Sequence, residues 1–324
     1  MTLVYSTHAL HPKVQETLCR AGGFRVASAL DATTLAEEGA EADVVIVRAN
    51  IPPELFARQK RLRAAIRHGA GLDMIPLEAA TAAGVLVANV PGANALTVGE
   101  YVIFASLALT RRFRMIDDDL RRAGWFAGRA HAERAGEITG RTMGIIGMGH
   151  IGQAIAAMAQ HGFGMRVLAH TRRNTGFPEG VIAVTFDDLL AESDIVVLAC
   201  PLTSETRGMI GAPQLAMLKR NALLINVSRG PVVVEADLIA ALDSGHLGGA
   251  ALDVFSTQPL PPDHPFFGFK NVILTPHLAG ITEEAMERMG TVVAQETIRI
   301  LAGSLPVNLI NPEAVDAYRQ RFPA

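Results

Sequence analysis

The sequence predicts two α/β domains, each a doubly wound parallel sheet, with one domain inserted into the other. Three observations carry this prediction. Short apolar runs alternate with helical patterns through residues 1–94. A glycine-rich turn at 147–152 joins a strand pattern to a helical one. The runs Asp194 to Leu198 and Ala222 to Val227 are continuously apolar, as parallel strands buried on both faces must be.

Taken in order, Leu3–Tyr5, Phe24–Ala27, Val44–Val47, Ala64–Ile66 and Val85–Ala88 read as strands, with helices in the gaps. Pro12, Pro52-Pro53 and Pro76 suit first helical turns, and Gly22-Gly23 and Gly84 suit helix exits. A long helix is expected from Ala95 to Arg122, ending before Gly124-Trp125. Strands are expected at 142–146, 166–169, 181–184, 194–199, 222–227, 248–254 and 272–275, and a second long helix from Glu283 to Leu301. The expected layout is an outer domain made of 1–94 and 283–324 around an inserted domain at 95–282.

Length and composition agree with this layout. At ~150 residues per domain, 324 residues suggest two domains. An apolar content of 49% with 30 glycines fits packed α/β units rather than a disordered chain. With 29 basic and 32 acidic residues the formal charge is −3, which offers no general attraction for nucleic acid or anionic membrane. The cluster Arg111, Arg112, Arg114, Arg121 and Arg122 is interleaved with Asp117-Asp118-Asp119 and reads as a solvated or subunit-facing helix end. Cys19 and Cys200 stand alone, so no disulfide framework or zinc motif is expected, and no other metal site is assigned. No apolar stretch approaches the ~20 residues of a membrane span, and residues 1–8 lack a signal-peptide pattern. The expectation is a cytoplasmic, small-molecule protein.

Gly147-Met148-Gly149-His150-Ile151-Gly152 follows Thr142–Ile146 and opens the helical pattern Gln153–His161. The first glycine permits a tight turn, the second lets the backbone approach a pyrophosphate, and the third allows close helix–strand packing. A Rossmann cofactor domain inserted into a flavodoxin-like substrate domain is therefore expected. About 20 residues beyond such a turn, an acidic side chain usually receives the ribose hydroxyls of NAD. Here the strand runs into His170-Thr171-Arg172-Arg173, with no carboxylate. Uncharged Thr171 with Arg172 and Arg173 suits a 2′-phosphate, so NADP is the preferred cofactor, with NAD as the other choice. The alternative is that the two arginines are a solvated loop pair.

Further motifs fall at the expected strand ends of the inserted domain, where open parallel sheets bind ligands: Asn226–Gly230, Ala251–Phe255 with Gln258-Pro259-Leu260, and Thr275–Gly280. With Pro201–Thr206, His68–Asp73 and Asn94–Glu100, they make nearly the whole chain resemble the D-isomer-specific 2-hydroxyacid dehydrogenases, including glyoxylate/hydroxypyruvate reductases and phosphoglycerate dehydrogenases. The resemblance implies an oxidoreductase that moves a hydride between NAD(P)H and a small 2-oxo or 2-hydroxy acid. Such chemistry needs a cation for the carboxylate and polarised carbonyl, a proton donor and a dry site. Arg229 is the implied cation and His277 the implied acid–base. Taken singly, Arg229 could be a phosphate or helix-end contact and His277 a capping or satisfied interior histidine.

Asp253 resembles the family aspartate that accepts from the cofactor carboxamide; otherwise it is a strand-end carboxylate. The family pattern also places Gly147, Gly149, His150, Ile151, Gly152, Cys200, Pro201, Thr206, Val227, Ser228 and Gly280 along the cofactor. In the outer domain, the backbone of Ala70 and Gly71 resembles the element that meets the substrate carboxylate. Asn94 resembles a substrate-side asparagine, although a helix N-cap explains it as well. Arg48 suits a distal anionic group such as phosphate or sulfonate, or is a surface arginine. The resemblance further suggests a homodimer joined through the cofactor domains, involving the Ala95 to Trp125 region.

The chain departs from the family at Gln258, where most members carry a glutamate beside the catalytic histidine. An amide orients the ring without adding charge, so His277 is expected to lose its proton at lower pH than in Glu-bearing relatives. Formate dehydrogenases of this family also carry glutamine there and need no proton transfer, which makes formate oxidation one alternative. A dinucleotide-sensing binding protein or corepressor without turnover is another.

Overall fold

The five apolar runs of the N-terminal region form one parallel sheet in the computed structural model, which describes residues 2–172 and 176–323. These strands are β1 (Leu3–Ser6), β2 (Gly23–Val26), β3 (Val44–Val47), β4 (Ala64–Arg67) and β5 (Leu86–Ala88), in the order β2-β1-β3-β4-β5. Alternate residues serve opposite faces, as a period of two requires. Val4, Val44, Ile46 and Ile66 pack with Leu18, Met289 and Val293, while Tyr5, Val45, Val47 and Ala65 pack with Leu35, Leu55 and Phe56. Both faces are therefore core, which explains the uninterrupted apolar run of β3. The helix Glu283–Leu301 covers one face; Thr282 caps it by accepting from the Ala285 N–H at 3.2 Å.

The second sheet comprises β6 (Thr142–Ile146), β7 (Arg166–His170), β8 (Val181–Ala183), β9 (Ile195–Leu198), β10 (Leu223–Asn226), β11 (Gly249–Leu252) and β12 (Val272–Leu274). Its order among the described residues is β12-β11-β10-β9-β6-β7-β8, and every pairing is parallel. The chain winds outward in both directions from β6 and β9, so the order reverses between these two neighbours. Ligands of open α/β sheets bind beyond the carboxyl ends of strands at such a switch. The two sheets belong to two units, Met1–Asn94 with Ile281–Ala324, and Ala95–Gly280. The predicted fold class, two doubly wound α/β sheets, is the one observed.

Element edges differ from expectation for local reasons. The helix expected from Ala95 to Arg122 is two helices, Ala95–Thr110 and Phe113–Ala123, because Arg112 adopts the left-handed region at φ 56°. No glycine or proline signals this break. It falls where burial ends, since the second helix has no buried residue. Pro12 occupies the first turn of its helix, but Pro53 and Pro76 precede theirs as N-caps. Strands β9 to β12 are shorter than the apolar runs that contain them, because residues past their ends leave the ladder to form site turns. Val227 still donates to Leu198 O (3.2 Å), and Asp253 to Asn226 O (3.1 Å).

Candidate active site

The glycine turn closes β6 and starts the helix His150–Phe163. Each glycine has its own reason to lack a side chain. Gly147 has φ +101°, and a Cβ there would lie 2.8 Å from the backbone of Ala199 and Cys200 at the end of β9. A Cβ at Gly152 would lie 2.2 Å from Gly147 O, so turn and helix pack backbone to backbone. Gly149, the N-cap, would meet nothing within 4 Å. Its open side lies at the first turn of the helix, formed by His150 and Ile151, where unpaired N–H groups and the helix dipole favour an anion. This cradle fits the pyrophosphate of a dinucleotide: two glycines are closed against protein and one faces outward.

Three adjacent strand ends carry the residues with chemistry. Register pairs Asn226 with Leu252 and Leu252 with Leu274, so β10, β11 and β12 stop level with one another. Arg229 lies three residues past β10, Asp253 one past β11 and His277 three past β12. The loops touch: a Cβ on Gly230 would sit 1.9 Å from the Phe255 carbonyl carbon, so only glycine lets the Arg229 turn cross the segment leading to Gln258. Asn226 holds that turn. Its Oδ1 accepts from Ser228 N (3.0 Å) and Ser228 Oγ (2.9 Å), and its Nδ2 donates to Arg229 O (3.1 Å). Arg229 itself is half-buried and donates through Nη1 to Ser228 O at 2.7 Å. Ser228 and Val227 are buried, and the Ser228 hydroxyl is committed to Asn226.

Asp253 is 2% exposed and grips the His277 loop on both sides. Its carbonyl oxygen accepts from His277 N (2.8 Å). Its carboxylate accepts from Leu278 N (2.8 Å), Ala279 N (2.9 Å) and the Thr275 hydroxyl (2.6 Å). Held this way, His277 takes a left-handed φ of +55°, an unfavourable conformation for a residue with a Cβ. Burial pushes the Asp253 carboxyl above the usual range, opposed by the hydrogen bonds from Thr275, Ala279 and Leu278. A raised carboxyl pKa means that the folded state binds this proton more readily than the unfolded one. The charge therefore costs stability at neutral pH, and the cost fades as pH falls through the raised pKa. Gln258 completes the group: its Nε2 donates to Phe255 O (3.3 Å), which turns Oε1 toward His277 Nδ1 at 3.3 Å. An amide oxygen only accepts, so Nδ1 carries the hydrogen and Nε2 is the nitrogen that can exchange a proton.

At the far side of the switch point, Thr171 is half-buried just past β7 and Arg172 is exposed. Arg172 Nη1 pairs with Glu205 at 3.1 Å. Arg173 lies outside the described residues. In the segment after β9, Cys200 is buried, with its thiol pKa pushed up by burial, and Pro201 is exposed. Thr206 closes the turn, donating its hydroxyl to Pro201 O (2.7 Å) and accepting from Thr203 N (2.8 Å). Gly280, half-buried, is the last residue of its unit.

In the other unit, Arg67 Nε donates to Gly71 O (3.1 Å) and Asn89 Nδ2 to Ala70 O (2.6 Å), fixing the loop after β4. Arg48 follows β3 and is half-buried. Its Nη1 donates to Ala9 O (2.6 Å), its Nη2 lies 4.0 Å from Met286 Sδ, and burial lowers its pKa. Burial and then Arg48 depress nearby His68, to about 4. Asn94, half-buried, is the last residue of its segment before the helix Ala95–Thr110.

Sequence reasoning passed over Asn226 as a strand end, and gave no role to Thr275, Glu205 or Tyr101. A polar residue closing an otherwise apolar run was available as a signal for Asn226. Nothing local could have linked Tyr101 to Thr275, since 174 residues separate them.

Comparisons with known proteins agree with this geometry. A family model described as D-isomer specific 2-hydroxyacid dehydrogenase, NAD binding domain, matches residues 103–279. The glyoxylate reductase of Korarchaeum cryptofilum (strain OPF8) is 40% identical over 269 residues, covering 82% of this chain and 81% of that protein. Among solved structures, the TT0316 protein from Thermus thermophilus superposes with a TM-score of 0.88 at 32% identity, over 95% of this chain and 100% of that one. An NADPH-dependent glyoxylate/hydroxypyruvate reductase from Sinorhizobium meliloti, in complex with citrate, gives a TM-score of 0.86 at 26% identity, over 97% and 99%. The chain belongs to the D-isomer-specific 2-hydroxyacid dehydrogenase family. It is an oxidoreductase with a nicotinamide cofactor that acts on a small 2-oxo or 2-hydroxy acid. Among the described residues no helix is long and apolar enough to cross a membrane.

Proposed function

We propose that this protein reduces glyoxylate or hydroxypyruvate, with NADPH preferred over NADH and with the reverse oxidation as its counterpart. The observation that carries this reading is the convergence of Arg229, Asp253, Gln258 and His277 on three neighbouring strand ends, in the sheet whose glycine turn fits a diphosphate. When bound, the dinucleotide supplies a hydride to C2 of the oxo acid. Arg229 holds the carboxylate and polarises the carbonyl, and the turn fixed by Asn226 keeps the guanidinium in place. His277 delivers the proton from Nε2 to the oxygen that becomes the hydroxyl, while Gln258 holds Nδ1–H and so fixes the tautomer. The proton is replaced from solvent, and the product is a 2-hydroxy acid.

Gly147, Gly149, His150, Ile151 and Gly152 hold the pyrophosphate, and Cys200, Pro201, Thr206, Val227, Ser228 and Gly280 line the remainder of the cofactor. Thr171, Arg172 and Arg173 receive the 2′-phosphate in this reading. Its support is the lack of a carboxylate in the stretch from His170 to Arg173, together with the NADPH-dependent relative from Sinorhizobium meliloti. In the unit containing 1–94, we assign Ala70 and Gly71 to the substrate carboxylate, Asn94 to the substrate and Arg48 to its distal end.

The functional form is a homodimer joined through the 95–280 unit. Phe104, Phe113, Trp125 and Phe126 are all more than half exposed there, and Phe104 lines a shallow apolar groove of about 670 Å³ with Ile103, Leu107, Met158 and Phe163. Apolar surface of this kind marks an association site. Cytoplasmic localisation accords with the two unpaired cysteines.

Steady-state turnover of glyoxylate, hydroxypyruvate, phenylpyruvate and formate, each with both nicotinamides, tests the assignment. The reading predicts the highest kcat/KM for one of the first two with NADPH. Formate turnover with NAD as the main activity, or dinucleotide binding without turnover of any acid, would overturn it.

A further inference from the structure

The carboxylate that grips the His277 loop is itself the end of a hydrogen-bonded chain that starts on a different element. The Thr275 hydroxyl lies 2.6 Å from Asp253 Oδ1 and 2.7 Å from the Tyr101 phenol. A hydroxyl has one hydrogen, and the carboxylate can only accept, so Thr275 donates that hydrogen to Asp253. Its oxygen must then accept, which makes the Tyr101 O–H the donor. The direction of the chain is fixed: Tyr101 O–H to Thr275 Oγ1, and Thr275 O–H to Asp253 Oδ1. Burial pushes the Tyr101 phenol up to about 12, so it remains a donor throughout the neutral range.

We infer that Tyr101 and Thr275 are positioning residues for the proton-transferring histidine, acting through Asp253 on the backbone that carries the His277 ring. Three further bonds transmit the effect. Asp253 O receives the N–H of His277, and the Asp253 carboxylate receives those of Leu278 and Ala279, the next two residues. Rotation of the carboxylate would therefore shift the two peptides that follow a residue already held at φ +55°. Oδ1 is occupied twice, by Thr275 and Leu278, which prevents that rotation. Oδ2 receives only Ala279 N among the described residues, so one lone-pair direction remains for the carboxamide of a bound dinucleotide.

Tyr101 is anchored in the helix Ala95–Thr110, whose neighbours Val98, Val102 and Ala105 are buried against the sheet. The phenol is thus tied to an element packed into the core of its unit. A loop residue in a costly conformation is buttressed from that element through two hydroxyls and one carboxylate. A displacement of about 1 Å at a reacting group costs roughly a hundred-fold in rate, so partial loosening of this chain has a measurable effect.

The inference rests on His277 being the proton donor, and its test keeps the two claims apart. Glyoxylate reduction by NADPH is measured for Thr275→Val, Thr275→Ser, Tyr101→Phe, the Tyr101→Phe/Thr275→Val double variant and His277→Gln. NADPH dissociation constants come from its own fluorescence, and folding is checked by thermal unfolding. Thr275→Val is expected to lower kcat about ten-fold, with KM for glyoxylate and the NADPH dissociation constant within about two-fold of the parent. Thr275→Ser, which restores the hydroxyl, should return kcat to within about two-fold, and Tyr101→Phe should lose about three-fold. Because the chain is in series, the double variant should be no worse than Thr275→Val alone.

Parental kcat in Thr275→Val, loss confined to NADPH affinity, failure of serine to rescue, or losses that multiply would each overturn the inference. If Thr275→Val does not fold, Tyr101→Phe decides by the same kcat and KM criteria. His277→Gln with parental kcat would instead remove the role of His277 itself.

Discussion

The two ends of the candidate cofactor site are built in contrasting ways. At the ends of β10, β11 and β12, the side chains that hold the turns are buried: Asn226 is 1% exposed and Asp253 2%, and each makes at least three hydrogen bonds to the loop it carries. At the end of β7, Arg172 is exposed and its partner, Glu205, is an exposed surface carboxylate. The first end fixes reacting groups, where small displacements are costly. The second, under the proposed assignment, meets a distant phosphate or ribose, where an exposed ion pair contributes little and is readily exchanged. Under that assignment, chemistry rests on buried networks and cofactor choice on replaceable surface charge.

The largest expected effect is at the buried end. Arg229→Ala should lower kcat/KM for glyoxylate by about a thousand-fold while leaving NADPH affinity near the parental value, measured by steady-state kinetics and fluorescence titration. A loss under ten-fold would make the two ends alike. Next, Arg172→Ala combined with Arg173→Ala should weaken NADPH about ten-fold or more and NADH by less than about three-fold. Equal losses would place the arginines outside the 2′-phosphate site.

Smaller still, Gln258→Glu adds a carboxylate beside Nδ1 of His277. An adjacent negative charge favours imidazolium, so the pH at which reduction fades should rise by roughly one unit. An unchanged pH–rate profile would separate residue 258 from proton transfer. Glu205→Gln is the mildest change. By releasing Arg172 it should improve NADPH affinity about two-fold, in keeping with the small worth of an exposed pair. A loss of NADPH affinity would show that Glu205 orders the arginine rather than competing for it.

The same contrast separates what the sequence disclosed from what it concealed. Gly147 and Gly152 were readable because a positive φ at the first and close backbone approaches at both demand glycine there, and local spacing reports backbone demands; Gly149 was read with them although a Cβ there would meet nothing within 4 Å. The strand ends that precede Arg229 and His277 were legible as the close of apolar runs, whereas the roles of Arg229, Gln258 and His277 came from the family resemblance. The break at Arg112 was not, since an arginine carries no signal for φ 56° and no glycine or proline stands beside it. The chain from Tyr101 through Thr275 to Asp253 was equally hidden. It depends on the register of β11 with β12 and on the packing of a helix begun far upstream, both of which exist only after folding. Glu205 falls within the Pro201–Thr206 motif, yet its pairing with Arg172 crosses from the end of β9 to the end of β7, which no local pattern encodes.

The most direct test of the account is the rate of glyoxylate reduction by His277→Gln at saturating NADPH, with the dissociation constant for NADPH measured on the same preparation. The account predicts kcat lower by about a thousand-fold with NADPH binding within about two-fold of the parent, because the variant keeps the cradle and loses the proton. A kcat within about ten-fold of the parent would contradict it.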